Sequence, residues 1–452
     1  MLVDSNKRSI PAVDTLLKAV GESELPRPLL VATIRQELNQ IRTADEIPDR
    51  DSVIDLVKQA IQRTIRSRIQ PVINATGIIV HTNLGRAPLG SEVVSALGAL
   101  AGQYNNLEYD LTTGERGGRA NYVEAGLATL CQSEAATIVN NCAAALVLIL
   151  RELTSEKREV IVSRGELIQI GGGFRIPDIL ETSGATLREV GTTNRTNLAD
   201  YETAIGPNTG LILKVHRSNF FMDGFVESPL RDELSKLARE SGVPLVEDLG
   251  SGALTDTEKA AGLTREPTPA EAIRAGVDLV CFSGDKLMGG PQAGIIAGNA
   301  AHVGRMKRNP FFRALRCDRL VLGAMQAVVD HLLADKPTPV SDMMSASVDE
   351  LRKRAETIRQ ALADVSARIE IGEGKAQVGG GTLPRDTIPS VTLDIHATNR
   401  SATRLAADLR RSAPPVISYP SQKILKLDLR TVFPEQDETL TKCLSEVLRN
   451  QE

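Results

Sequence analysis

A lysine stands where the apolar run Val277-Asp278-Leu279-Val280 feeds the glycine-rich stretch Cys281-Phe282-Ser283-Gly284-Asp285-Lys286-Leu287-Met288-Gly289-Gly290. An amine at the end of a buried strand can be desolvated, which lowers its pKa and frees it to form a Schiff base with an aldehyde. A solvated turn lysine would look the same, so Lys286 gains meaning only from other strand ends. Asp248 follows the run Val243-Pro244-Leu245-Val246-Glu247. A carboxylate there suits the protonated nitrogen of a pyridine ring. A third strand end reads Ile138-Val139-Asn140-Asn141-Cys142-Ala143-Ala144, asparagines followed by small residues that open an apolar helix. Free N–H groups and the dipole at such a start suit a phosphate, to which Ser283 could add a hydroxyl. Asn140 or Asn141 also reads as a plain helix cap, a role compatible with phosphate binding. Aldehyde, pyridine nitrogen and phosphate are the three handles of pyridoxal phosphate.

The strongest charge anomaly is Arg305, Lys307, Arg308, Arg313, Arg316 and Arg319 against the single acid Asp318. Planar guanidinium forks bind oxyanions in pairs of hydrogen bonds, so the run reads either as an oxyanion site or as a solvated or subunit-contact face. Arg86, in His81-Thr82-Asn83-Leu84-Gly85-Arg86, could join it. Glu166 and His216 lie close enough to strand ends to be further candidates. Gly171-Gly172-Gly173 and Gly289-Gly290 permit close backbone approach or sharp turns, but no G-x-G-x-x-G and no G-x-x-x-x-G-K-[ST] occurs.

These residues need a scaffold of strands with helices between them. Short β-branched runs fit strands at Ala136–Val139, Glu159–Val162, Thr186–Val190, Leu211–Val215, Leu245–Glu247 and Leu279–Phe282, the rhythm of an α/β domain with a mainly parallel sheet. Residues 1–68 read as a helical module with stripes at Val13, Leu16, Leu17, Val20 and at Leu30, Ile34, Leu38, Ile41. Its third helix is expected to be capped by Asp51 or Ser52, to carry Val53, Val57, Ile61 and Ile65 on one face, and to end in Arg63, Arg66 and Arg68. Those arginines read as a solvated helix end or as an RNA contact. Residues 69–335 form the expected large α/β domain. Residues 336–452 form a small α+β domain, with helices at Ser345–Val365, Ala402–Arg411 and Asp437–Arg449 and strands around Ser390–Asp394 and Ile424–Leu429. At 452 residues more than one domain is the expectation. The formal charge of -4 leaves any nucleic-acid contact to a local patch. Five scattered cysteines without a C-x-x-C pair fit reduced thiols and no metal site, and no run has the length of a membrane span, so a cytoplasmic protein is expected.

Eight longer runs, among them NATGIIVHTNLGRAPL (74–89), IVNNCAAALVLIL (138–150), VSRGELIQIGGGFRIPD (162–178), EDLGSGAL (247–254) and FSGDKLMGGPQAGII (282–296), closely resemble the bacterial L-seryl-tRNA(Sec) selenium transferases, the selenocysteine synthases. The resemblance implies a fold-type I pyridoxal-phosphate transferase with Lys286 as the Schiff-base lysine and Asp248 at the ring nitrogen. Asn140, Asn141, Cys142, Ser283 and His216 fall among its cofactor contacts, and Arg86, Arg313 and Arg316 fall on arginines that hold the selenium donor. It implies conversion of seryl-tRNA(Sec) to selenocysteinyl-tRNA(Sec) by elimination of the serine hydroxyl and addition of selenium from selenophosphate. It also implies a homo-oligomeric ring of dimers, a decamer, with active sites between subunits and N-terminal helices on the tRNA. Relatives with similar cores are pyridoxal-phosphate lyases of small amino-sugar acids, the alternative reading. Two positions depart from the family pattern: Cys142 replaces a third asparagine, and Ser418-Tyr419 replaces a Gly-Arg pair, for which Arg430 is the nearby substitute.

Overall fold

In the computed structural model, residues 10–44, 46–169, 171–396 and 400–449 are described. They fall into two compact units, Met1–Pro71 and Val72–Glu452. The first unit holds helices α1 (Val13–Val20), α2 (Arg27–Thr43) and α3 (Arg50–Arg66). Leu16, Leu30, Ile34, Leu38, Ile41, Val53, Val57 and Ile61 are buried together, so the helical spacing of these apolar side chains builds the core of the unit. The cap of α3 is Asp49, whose side chain accepts from the Ser52 N–H at 2.8 Å, and not Asp51 or Ser52. Only the residue that precedes the first helical turn can reach the orphan N–H groups; Asp51 already lies within that turn.

The second unit opens with two short strands, β1 (Ile73–Asn74) and β2 (Ile78–Val80), and helices α4 (Ser91–Ala101) and α5 (Asn121–Cys131). Then come β3 (Ala135–Val139), α6 (Cys142–Leu153), β4 (Glu159–Ser163), β5 (Thr186–Val190), β6 (Thr209–Val215), β7 (Leu245–Gly250), β8 (Leu279–Ser283) and β9 (Gly294–Gly298). Seven of these strands form one sheet in the order β3-β9-β8-β7-β6-β4-β5. All described neighbours pair in parallel except at β9, which runs antiparallel to both β3 and β8. Alternate residues of its central strands enter two separate cores: Ile212, Leu245, Val280 and Phe282 on one face, Leu213, Val246, Leu279 and Cys281 on the other. Burial on both faces is why these strands read as unbroken apolar runs.

After the long helix Arg319–Leu333, strands β10 (Arg368–Gly379), β11 (Ile388–His396), β12 (Val416–Ile417), β13 (Tyr419–Ser421) and β14 (Ile424–Asp428) complete the chain with the helices Val348–Ala361, Ala402–Leu409 and Asp437–Arg449. A five-stranded sheet runs β13-β14-β11-β10-β2, and β1 pairs with β12. Residues 73–80, early in the chain, therefore belong to the C-terminal sheets.

Candidate active site

Strand β8 ends at Ser283 and the chain turns at once into the loop that carries Lys286. Backbone bonds pin this loop: Leu287 N–H donates to the Ser251 carbonyl at 3.1 Å and Gly290 N–H to the Gly284 carbonyl at 2.8 Å. Gly289 has a φ of 74°, and a Cβ there would lie 2.7 Å from the Thr338 hydroxyl, so only glycine fits. The glycine pair thus shapes the turn against Thr338. Lys286 itself is half-buried beside buried Ser283 and Asp285.

Asp248 sits in β7 as the register partner of Val215 in β6 and Cys281 in β8, and the register shifts immediately after it. Burial pushes its carboxyl above the ordinary carboxylate range, against the opposing pull of Lys286, Cys142, the Gly250 backbone and His216. No ion pair within 4.0 Å reaches Asp248 among the described residues, and its side chain accepts from the Cys142 thiol at 3.7 Å. The His216 N–H donates to the Asp248 carbonyl at 2.8 Å, and its ring Nε2 lies 3.1 Å from Oε2 of buried Glu266. Glu166 is buried and committed elsewhere, accepting from Lys214 Nζ at 3.1 Å and the Val215 N–H at 2.9 Å.

Asn141 is the N-cap of α6: its side chain accepts from the Ala144 N–H at 2.8 Å, leaving the first-turn N–H groups of Cys142 and Ala143 without intrahelical partners. A cavity of about 600 Å³ brings together Lys286, Asp248, Asn141, Cys142, Ser283, His216 and Arg86. Asn140 is not among its walls. It is exposed, and its N–H donates to the Leu315 carbonyl at 3.0 Å, tying the asparagine turn to the segment Pro310–Leu315.

The arginines divide. Arg86 reaches the cavity and pairs through Nη1 with Asp285 Oδ2 at 2.6 Å. Arg313 and Arg316 are exposed and outside the cavity walls of this chain. Arg305 pairs with Glu152, Lys307 with Glu124, and Arg319 donates to the Ala101 carbonyl, so half of the basic run stabilises the surface. Arg430 does not replace the missing arginine near residue 419. It is 3% exposed and donates to the carbonyls of Met343, Ala346 and Pro389, a clamp inside the fold. In the first unit, Arg63 pairs with Glu37 and Arg68 with Glu24, whereas the Arg66 side chain makes no ion pair among the described residues.

Several wall residues had no sequence signal of their own: Gln169, Ser218, Asn219, Gly380 and Gly381. Asn219 donates to the Gln169 carbonyl at 2.7 Å while its Oδ1 is buried without a partner among the described residues. Gly380 and Gly381 follow directly on the end of β10, so the C-terminal sheet also lends backbone to a wall otherwise built from residues 82–292.

The family described as L-seryl-tRNA selenium transferase matches residues 72–433, and the one described as selenocysteine synthase N terminal matches residues 8–42. The chain belongs to the L-seryl-tRNA selenium transferase family. Among relatives called L-seryl-tRNA(Sec) selenium transferase, that of Carboxydothermus hydrogenoformans is 42% identical over 466 residues, 99% of either chain. That of Moorella thermoacetica is 43% identical over 98% of this chain and 97% of its own, and that of Aquifex aeolicus 39% over 98% of each. The solved structure of a D-glucosaminate-6-phosphate ammonia-lyase shares the fold, with a TM-score of 0.59 and 19% identity over 86% of this chain and 98% of its own. The expected fold-type I architecture around a mainly parallel sheet is the one observed. Among the described residues, no helix is long and apolar enough to cross a membrane.

Proposed function

We propose that this chain converts seryl-tRNA(Sec) to selenocysteinyl-tRNA(Sec), with pyridoxal phosphate as cofactor and selenophosphate as selenium donor. The observation that carries the reading is the convergence, on one cavity at the carboxyl ends of parallel strands, of Lys286, Asp248 and the open start of α6. The residues fit the cofactor. Asp248 is a half-buried carboxylate that opens on the cavity and has no ion-pair partner within 4.0 Å among the described residues, as a site for a pyridinium requires. The N–H groups of Cys142 and Ala143, with the Ser283 hydroxyl, supply donors for a phosphate. A volume of about 600 Å³ leaves room beyond the cofactor for the seryl end of a substrate.

When bound to Lys286, pyridoxal phosphate supplies an electron sink for the charge that leaves the serine α-carbon. Lys286 Nζ, displaced by the serine amine, is the base that takes the α-proton and later returns one to the same carbon. Asp248 holds the ring nitrogen's proton and His216, tethered through Glu266, flanks that carboxylate. The serine carboxyl is an ester, so no arginine need clamp it. Arg86, held on Asp285 by one Nη, keeps its other N–H donors for the donor's oxyanion. Arg313 and Arg316, exposed here and tethered through Leu315 to the asparagine turn, serve a site completed by a neighbouring subunit in a homo-oligomeric ring. The serine hydroxyl leaves as water, selenium bonds to the β-carbon, and a water breaks the phosphorus–selenium bond to release phosphate. The helical unit Met1–Pro71, whose Arg66 side chain makes no ion pair among the described residues, contacts the tRNA. Reduction of the cofactor-loaded protein with borohydride, followed by peptide mapping, is expected to place the label on Lys286. A label on any other lysine, or none, refutes the assignment.

A further inference from the structure

One thiol at the cavity wall, Cys142, and one buried beneath it, Cys281, are assigned nothing by the reaction. Asp248 and Cys281 are register partners on adjacent parallel strands, so their side chains stand together on one face of the sheet. Cys142, the first residue of α6, closes over them. Its sulfur, that of Cys281 and a carboxylate oxygen of Asp248 all lie within 4.8 Å of one another, and the Cys142 thiol donates to Asp248 Oδ1 at 3.7 Å. Cys281 is fully buried and Cys142 lines the cavity. Cys142 thus reaches Asp248 through its side chain, while its N–H stands at the open start of α6.

We infer that Cys142 and Cys281 are positioning residues that set the proton affinity of Asp248, and through it the hold on the ring proton of the cofactor; the inference rests on the proposed cofactor site. A thiol is a weak donor, so a carboxylate solvated by sulfur keeps more of its basicity than one bonded by hydroxyls or amides. The bond to Cys142, together with burial and the charge of Asp248, raises the Cys281 thiol well above its ordinary range, so it stays a neutral donor. Burial likewise raises Asp248, and soft donors leave that rise largely uncorrected. The other groups that face Asp248 are Lys286 and His216, the latter bound to Glu266; each is the same in wild type and in the cysteine variants.

The dissociation constant of pyridoxal phosphate is measured between pH 5 and 9 for the full-length wild type, Cys142→Ser, Cys142→Ala, Cys281→Ser and Asp248→Asn. The affinity is lost on the acid side as Asp248 takes up a proton, so the midpoint of that limb reports its proton affinity. Cys142→Ser, whose hydroxyl donates more strongly, is expected to move the midpoint down by about one pH unit, a tenfold change in proton affinity. Cys142→Ala, which removes the donor, moves it up, and Cys281→Ser moves it in the same direction as Cys142→Ser. Asp248→Asn abolishes the limb. A merely structural role for the thiols predicts no such opposition of sign between serine and alanine. Cofactor binding with an acid limb that depends on Asp248 but is unmoved in all three cysteine variants overturns this inference alone. A wild type that binds no pyridoxal phosphate at any pH overturns the cofactor reading and this inference with it.

Discussion

Replacing Arg231 by methionine should expose how the sheet under the site is held. The guanidinium donates through Nε to Glu247 Oε2 at 2.6 Å and through Nη2 to Oε1 at 2.9 Å. The Glu247 side chain is 1% exposed and that of Arg231 23%. Removing the partner of a buried carboxylate costs about 3 to 5 kcal/mol when no water can replace it. Because the arginine is partly open to solvent, some hydration follows its loss, and we expect a destabilisation of about 2 to 3 kcal/mol for Arg231→Met. Urea unfolding followed by far-UV circular dichroism reads this as a fall in midpoint at unchanged slope. The double variant Arg231→Met, Glu247→Leu removes both charges and should recover to within about 1 kcal/mol of wild type. A single variant within about 0.5 kcal/mol of wild type, or a double no better than the single, would refute the reasoning. Glu247 precedes Asp248 on β7, so the same single variant should also weaken cofactor binding, and the double should restore it.

Three further outcomes are expected. Asp428 is 1% exposed, its Oδ2 has no hydrogen-bond partner among the described residues, and burial raises its carboxyl above the ordinary value. The folded state therefore binds this proton more tightly than the unfolded chain; the cost of its charge is fully present above the folded pKa and is relieved as pH falls through it toward the ordinary carboxylate range. Asp428→Asn should be more stable than wild type at pH 7, with an advantage that shrinks as pH is lowered toward the ordinary carboxylate value near 3.8, as read by paired urea titrations; a constant difference down to that pH would contradict this. Gly380→Ala should destabilise by about 1 to 3 kcal/mol in the same assay, since φ is 63° and a Cβ would meet Val80 at 2.6 Å; an unchanged midpoint would contradict it. Deleting Met1–Pro71, a compact unit of its own, should leave pyridoxal phosphate bound but abolish salt-sensitive retention of seryl-tRNA(Sec); retention equal to the full chain would remove the tRNA role from these helices.

The strands that carry the site were legible because they are buried on both faces. Leu279–Ser283 and Leu245–Gly250 read as apolar runs, and the residues at their carboxyl ends are those that meet in the cavity. Six strands were not legible, four of them only two or three residues long. Gly294–Gly298 is short, glycine-bounded and antiparallel, and Arg368–Gly379 alternates charged residues with glycines. Gly372 and Gly374 are there because a Cβ would strike the carboxylates of Asp394 and Asp428, contacts that no local pattern encodes. The cap of α3 escaped because Asp49, Asp51 and Ser52 are all competent caps and only the entry of the chain decides among them. Cys281 looked like one more apolar residue of a strand; its place beside Asp248 depends on the register between β7 and β8. Asn140 and Asn141 are adjacent and chemically identical, yet one caps α6 and the other turns outward toward Leu315. Arg430 could be read only as a nearby positive charge, because its four carbonyl partners come from two segments distant in sequence, Met343 to Ala346 and Pro389.

The most direct test of the account is the identity of the amino acid on the tRNA after reaction. The pure full-length protein, loaded with pyridoxal phosphate, is incubated with seryl-tRNA(Sec) and selenophosphate, and the ester is hydrolysed and analysed by mass spectrometry. The account predicts selenocysteine from the wild type and unchanged serine from Lys286→Ala. Unchanged serine from a wild type with cofactor demonstrably bound would contradict it.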